Sequence, residues 1–102
     1  MASFVRVAGT GDLGPGQGMR VEIQGKTIAL FNLGGRYHAI DDTCPHRGGP
    51  LSEGEVEGEV VTCPWHGAKF RITSGEVLAP PAKAGVASYP TRVTGTAIEV
   101  EL

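Results

Sequence analysis

The sequence predicts an all-β protein, and three observations support this prediction. Sixteen glycines and seven prolines interrupt the 102-residue chain every few residues. No segment keeps a helical hydrophobic period for three turns. Short runs rich in β-branched and aromatic residues lie between the breaks, which is typical of strands joined by turns. We therefore expect antiparallel strands that form a sandwich or barrel.

The first half of the chain contains four predicted strands, at residues 4–7, 19–24, 27–31 and 36–40. The second and third are joined through Gln24-Gly25-Lys26, which is a hairpin signal. In the fourth, Tyr37 and Ala39 alternate with His38 and Ile40, so the pattern does not show which face is inward. The second half contains predicted strands at residues 60–62, 86–93 and 96–100, and residues 69–72 lead out of the loop that follows residue 62.

Two short motifs carry the chemistry of the chain. The first is Cys44-Pro45-His46-Arg47-Gly48 and the second is Cys63-Pro64-Trp65-His66-Gly67. Each offers one thiolate and one imidazole beside a glycine, and sixteen residues separate His46 from Cys63. Two cysteines and two histidines brought together make a metal site, and the remaining question is which metal it holds.

Two alternatives to a redox centre use the same residues. Structural zinc sites take the same ligand types, although their usual spacing pairs Cys with Cys and His with His. A disulfide between Cys44 and Cys63 is the other alternative. It would suit a secreted domain, but the chain shows no apolar targeting segment, and both histidines would be left without a role.

The mixed spacing, Cys-x-His followed by Cys-x-x-His, resembles the Rieske family of [2Fe–2S] proteins. Asp41-Asp42 before the first motif, a proline after each cysteine and Pro80-Pro81 downstream extend the resemblance over nearly the whole chain. The resemblance implies the Rieske fold, with a base at residues 1–40 and 84–102 and an inserted cluster-binding lobe at about residues 41–83. All 102 residues are then a single Rieske domain.

The same resemblance implies one [2Fe–2S] cluster per chain. Cys44 and Cys63 would hold one iron, and His46 and His66 would hold the other. In respiratory Rieske proteins two further cysteines form a disulfide, and Gly49 and Trp65 stand at those positions here. A serine and a tyrosine that donate to cluster sulfurs are replaced by Ala68 and Phe70, which implies a reduction potential near about −150 mV.

These features resemble the ferredoxins of multicomponent aromatic-ring oxygenase systems. Such a protein would take electrons from an NAD(P)H-dependent flavoprotein reductase and pass them to a terminal oxygenase, without substrate chemistry of its own. The alternative redox function is the Rieske-like small subunit of an NADH-dependent nitrite reductase, and the non-redox alternative is a zinc-binding module. A net charge of −2 does not suggest a nucleic-acid partner. The sequence has no apolar stretch long enough for a membrane, so we expect a cytoplasmic protein.

Three further features have both a structural and a functional interpretation. Glu53, Glu55, Glu57 and Glu59 stand at every second position, and we interpret this segment as a solvated connection rather than an acidic docking patch. Trp65 is interpreted as a hydrophobic cover for the cluster, with contact to a redox partner as the alternative. His38 lies outside both motifs and is interpreted as an ordinary strand residue.

Overall fold

The computed structural model describes residues 3–43, 49–65, 67–79 and 84–102. The regular structure in these ranges consists of β-strands and two short 3₁₀ helices, Thr10–Asp12 and Leu51–Glu53, so the all-β prediction is confirmed. The strands are β1 (Phe4–Gly9), β2 (Gly18–Ile23), β3 (Lys26–Leu33), β4 (Arg36–Asp41), β5 (Glu55–Glu57), β6 (Val60–Thr62), β7 (Lys69–Arg71), β8 (Val77–Ala79), β9 (Ser88–Tyr89), β10 (Thr91–Thr94) and β11 (Ala97–Glu101).

The strands form three antiparallel sheets. Their strand orders are β1-β11-β10, β2-β3-β4-β9 and β5-β6-β7-β8. All four strands of the last sheet come from residues 55–79. The first sheet instead joins β1, near the start of the chain, to β10 and β11, near its end.

The central sheet, β2-β3-β4-β9, lies between two buried apolar clusters. Successive residues of a strand point to opposite faces, and in β3 Ala29 and Phe31 face one cluster whereas Ile28 and Leu30 face the other. The first core contains Ala8, Leu13, Val21, Ile28, Leu30, Ala39, Ile98 and Val100. The second core contains Ala29, Phe31, Ile40, Leu51, Val61, Cys63, Ala68, Phe70 and Ile72.

This arrangement explains why the sequence of β4 did not reveal an inward face. Ala39 packs in the first core and Ile40 in the second, so both faces of the strand are covered. Alternation between apolar and polar residues is expected only where one face meets solvent.

The predicted hairpin between β2 and β3 is confirmed. Ile23 pairs with Lys26, so Gln24 and Gly25 alone form the turn. Both residues have positive φ, 51° and 76°, which is the conformation of a type I′ turn.

The prediction of one strand over residues 86–93 is wrong. Pro90 separates β9, which pairs with β4, from β10, which pairs with β11 in another sheet. Proline has no N–H to donate to a strand ladder, so the chain changes sheets there. The interpretation of residues 51–59 as only a connection is also incomplete, since they contain a 3₁₀ helix and β5. Strand β8 was not predicted.

A side-chain hydrogen bond from Tyr89 connects β9 to the end of β4. The Tyr89 hydroxyl donates a 2.6 Å hydrogen bond to Asp41 Oδ1. Burial, followed by the hydrogen bond and charge of Asp41, raises the pKa of Tyr89 to about 12. An unfolded tyrosine ionises near about pH 10, so the stability that depends on the protonated hydroxyl is present below pH 10 and lost as the pH rises through 12.

We therefore expect a tyrosinate absorbance step near pH 12 in the folded protein and its absence in Tyr89→Phe. Tyr37→Phe, which removes the other tyrosine, is the matched control and should keep this step. A step that persists in Tyr89→Phe and disappears in Tyr37→Phe would contradict the assignment.

Within the described part of the chain, no helix is long and apolar enough to cross a membrane.

Candidate metal centre

The second motif lies in the loop between β6 and β7. Cys63 directly follows β6, and its backbone N–H donates to the carbonyl of Ala68 at 2.7 Å. The N–H of Gly67 donates back to the carbonyl of Cys63 at 3.1 Å. Gly67 has a φ of +78°, a backbone conformation that residues other than glycine rarely adopt. These bonds hold Cys63 at the base of a tight loop.

The thiol of Cys63 is enclosed by protein. The residue is only 2% exposed and belongs to the second core, together with Ala68 and Phe70, both fully buried. Pro64, Trp65 and Gly67 in the same loop are exposed. The loop therefore has a buried base that carries the sulfur and an exposed tip.

The residues that flank the first motif, Thr43 and Pro50, lie side by side. Thr43 forms an isolated antiparallel bridge with Pro50, and the N–H of Leu51 donates to the carbonyl of Asp42 at 2.7 Å. Residues 44–48 run between these anchors and lie outside the described residues.

Gly49, which directly follows the first motif in the sequence, lies close to the second motif. A Cβ atom built on Gly49 would lie 2.7 Å from Cys63 Sγ and 3.0 Å from the Trp65 ring. Both distances are shorter than ordinary van der Waals contact, so only glycine leaves this room. The residue that directly follows the first motif thus lies against the sulfur that begins the second.

Of the four predicted ligands, the structure describes Cys63. Cys44, His46 and His66 lie outside the described residues, as does Pro80-Pro81. Ala68 and Phe70, where the resemblance implied hydroxyl donors, are buried with Cys63 in the second core. Sequence reasoning did not assign a role to Asp42, which is buried beside the first motif. An aspartate directly after a strand and two positions before Cys44 was the available signal.

The residues present suit a thiolate-bound cluster. A thiol is a soft ligand for iron. The thiol of Cys63 lies beside Gly49, and because glycine has no Cβ, there is space next to the sulfur. Apolar neighbours keep water from the sulfur and influence a bound group through the local dielectric.

The outward face of the β5–β8 sheet carries charges of both signs. Register places Glu55 in line with Lys69, and Glu57 in line with Arg71, with one residue of β6 between each pair. Strands two apart are separated by about 9.6 Å. The exposed glutamates therefore do not form a purely acidic surface, which agrees with their interpretation as solvated residues.

His38 lies on β4 and pairs with Phe31 of β3. The prediction that it is a strand residue is confirmed. It lines a cleft of about 330 Å³ with Tyr89 and Thr91. Burial lowers the pKa of His38, while the charge of Glu59 opposes this shift.

The comparison with known families identifies the chain. The model of the Rieske [2Fe–2S] domain matches residues 3–90. The protein belongs to the Rieske [2Fe–2S] family, and its cofactor is one [2Fe–2S] cluster.

Three similar proteins refine this result. The ferredoxin component of biphenyl 2,3-dioxygenase from Rhodococcus jostii is 35% identical over 100 residues, which cover 98% of this chain and 94% of that protein. The ferredoxin in a complex with the reduced oxygenase of carbazole 1,9a-dioxygenase matches with a TM-score of 0.89 and 30% identity, over 95% of this chain and 91% of that one. A protein described as the small subunit of an NADH-dependent nitrite reductase from Mycobacterium tuberculosis matches with a TM-score of 0.89 and 30% identity, over 100% and 96% of the two chains.

The chain therefore has the fold and length of a Rieske ferredoxin. It is an electron carrier rather than a catalytic subunit.

Gly49→Ala is expected to disrupt the cluster because its new methyl group would meet Cys63 Sγ at 2.7 Å. The backbone must move to relieve this contact, and overpacking of this kind costs about 1–3 kcal/mol. We expect lower iron and sulfide content and a lower melting temperature. Gly11→Ala is the matched control, since a Cβ there meets nothing within 4 Å. Equal cluster content in the two variants would contradict the close approach.

Proposed function

We propose that this protein takes single electrons from an NAD(P)H-dependent flavoprotein reductase and passes them to a terminal aromatic-ring oxygenase in the cytoplasm. The observation that supports the proposal is the close approach of Gly49, which directly follows the first motif in the sequence, to Cys63 Sγ in the second. The relatives named as ferredoxin components support the choice of partners.

The proposed ligands are Cys44 and Cys63 on one iron, and His46 and His66 on the other. Two ferric ions, two sulfides and two thiolates sum formally to zero with neutral imidazoles, so the bound cluster accepts one electron by gaining one negative charge. The buried apolar surroundings of Cys63 disfavour that added charge. Ala68 and Phe70 offer no hydroxyl to offset it, which supports a potential at the low end of the Rieske range.

In this proposal the two parts of the domain have different roles. The base consists of residues 1–40 and 84–102, and the cluster-binding lobe consists of residues 41–83. The base supplies the first core and the central sheet. The lobe contains both motifs, and the tip of the second loop is exposed at Trp65 and Gly67.

The second candidate is the small subunit of a nitrite reductase, which the similarity to the Mycobacterium tuberculosis protein favours. Both functions need the same cluster but different acceptors. The deciding experiment mixes the reduced protein with a terminal aromatic-ring oxygenase or with a sirohaem nitrite reductase and follows its reoxidation. Rapid reoxidation by the oxygenase alone supports the proposal, whereas rapid reoxidation by the nitrite reductase alone overturns it.

Metal analysis tests the cofactor before any partner is added. Protein purified from iron-replete cells should be red-brown and contain iron and acid-labile sulfide in equal amounts. Stoichiometric zinc without sulfide would instead support the zinc-binding alternative.

Trp65→Glu is expected to slow electron transfer to the oxygenase more than it changes the reduction potential. Trp65 is 56% exposed beside His66, and an exposed aromatic next to a redox site suits contact with a partner. A charge placed in that contact costs binding free energy, whereas its effect on the potential is weakened by solvent, because this side chain is exposed. Oxygenase turnover at limiting ferredoxin, together with voltammetry, separates the two effects.

Val93→Glu is the matched control, since Val93 is 47% exposed but lies on β10 of the first sheet. Equal turnover in wild type and Trp65→Glu would place the docking surface elsewhere.

A further inference from the structure

Asp42 is a buried carboxylate that joins the end of β4 to the segment after the first motif. The residue is 3% exposed, although charged side chains are rarely buried without partners. It follows β4 and precedes Cys44 by two positions.

The polar contacts of Asp42 reach three other segments. Its backbone N–H donates to the carbonyl of Thr27, in β3, at 3.1 Å. Its Oδ1 accepts from the N–H of Ser52 at 2.7 Å, and its backbone carbonyl accepts from the N–H of Leu51 at the same distance. Its Oδ2 lies 3.9 Å from Nε of Arg20, on β2.

These contacts hold the segment that follows the first motif against the end of β4. Leu51 and Ser52 begin the short 3₁₀ helix, and Leu51 is fully buried in the second core beside Cys63. Gly49 lies three residues before Ser52 and directly against Cys63 Sγ. A shift of Asp42 Oδ1 would therefore move Ser52, and with it the position of Gly49 relative to Cys63 Sγ.

We propose that Asp42 is a positioning residue that sets the cluster geometry by holding Ser52, and hence Gly49, against Cys63. The hydrogen-bond acceptor, rather than the negative charge, performs this role. The inference rests on the proposed assignment of Cys44 and Cys63 as ligands.

The test compares four holoprotein variants. Asp42→Asn keeps an acceptor oxygen at nearly the same place and removes the charge. Asp42→Glu keeps the charge and displaces the acceptor, and Asp42→Ala removes both. Asn32→Ala is the control for a purely structural loss. Asn32 is also buried and accepts from a backbone N–H, that of Gly35, but it lies at the opposite end of the β3–β4 pairing.

The readouts are the EPR line positions of the reduced protein and the rate of cluster loss at a fixed temperature. We expect displaced EPR lines in Asp42→Ala and Asp42→Glu, and nearly wild-type lines in Asp42→Asn and Asn32→Ala. Cluster loss in Asp42→Ala should be about tenfold faster, the factor that corresponds to about 1.4 kcal/mol. Asn32→Ala should lower the melting temperature without displacing the lines.

Unchanged EPR lines in Asp42→Ala and Asp42→Glu would overturn the inference. So would lines displaced equally in Asp42→Asn and Asp42→Ala, because the charge would then be responsible. If Asp42→Ala does not fold, the comparison of Asp42→Asn with Asp42→Glu decides the question. A failure of the ligand assignment is distinguishable, because it would appear as a full cluster in Cys63→Ser whatever the Asp42 variants do.

Discussion

Cys63→Ser is expected to lose the cluster and with it the visible absorbance. Iron–sulfur clusters require thiolate, and a serine hydroxyl is a hard ligand that ionises poorly. The substitution changes one atom in a side chain that is 2% exposed, so steric disruption is small. The measurements are iron, acid-labile sulfide and the visible spectrum of the purified variant. We expect the melting temperature to fall as well, because cluster binding stabilises the folded state only.

His38→Asn is the matched control for ligand loss. His38 is the one histidine outside both motifs, and it lies on β4 in a cleft lined by Tyr89 and Thr91. This variant should keep a full complement of iron and sulfide. A full cluster in Cys63→Ser, or an empty protein in His38→Asn, would show that the ligands are misassigned.

The double variant Ala68→Ser with Phe70→Tyr is expected to raise the reduction potential. Both residues are fully buried in the second core with Cys63, so new hydroxyl groups would have few partners other than the cluster sulfurs. A donor to sulfur stabilises the added electron. One hydrogen bond that favours the reduced state by a factor of ten raises a one-electron potential by about 59 mV. Voltammetry of the intact holoprotein gives the result directly.

Ala39→Ser provides a control for burying a hydroxyl. Ala39 is 2% exposed in the first core, on the other face of the central sheet. It should lower the melting temperature, because a buried hydroxyl without a partner costs about 1–3 kcal/mol, and leave the potential unchanged. If the double variant kept its cluster but showed no higher potential than Ala39→Ser, the hydroxyls would not face the sulfurs.

Local sequence determined the parts of this fold that depend on local chemistry. Gln24-Gly25 specifies its turn because both residues tolerate positive φ. The positions of glycine and proline predicted the bounds of most strands to within a few residues. The spacing of Cys44, His46, Cys63 and His66 in the sequence was sufficient to predict the family. The description of the fold as all-β follows from the same signals.

The tertiary structure decided what depends on stacking and on residues far apart in the chain. No pattern in β4 could show that Ala39 and Ile40 face two different cores, because that requires sheets on both sides of the strand. The change of sheet at Pro90 depends on which partners β9 and β10 find. The contact of Gly49 with Cys63 Sγ joins residues fourteen apart, and the burial of Asp42 depends on Ser52 and Arg20 meeting it. Sequence therefore named the chemistry of the site, whereas packing determined its geometry, because side-chain distances arise only when separate segments are brought together.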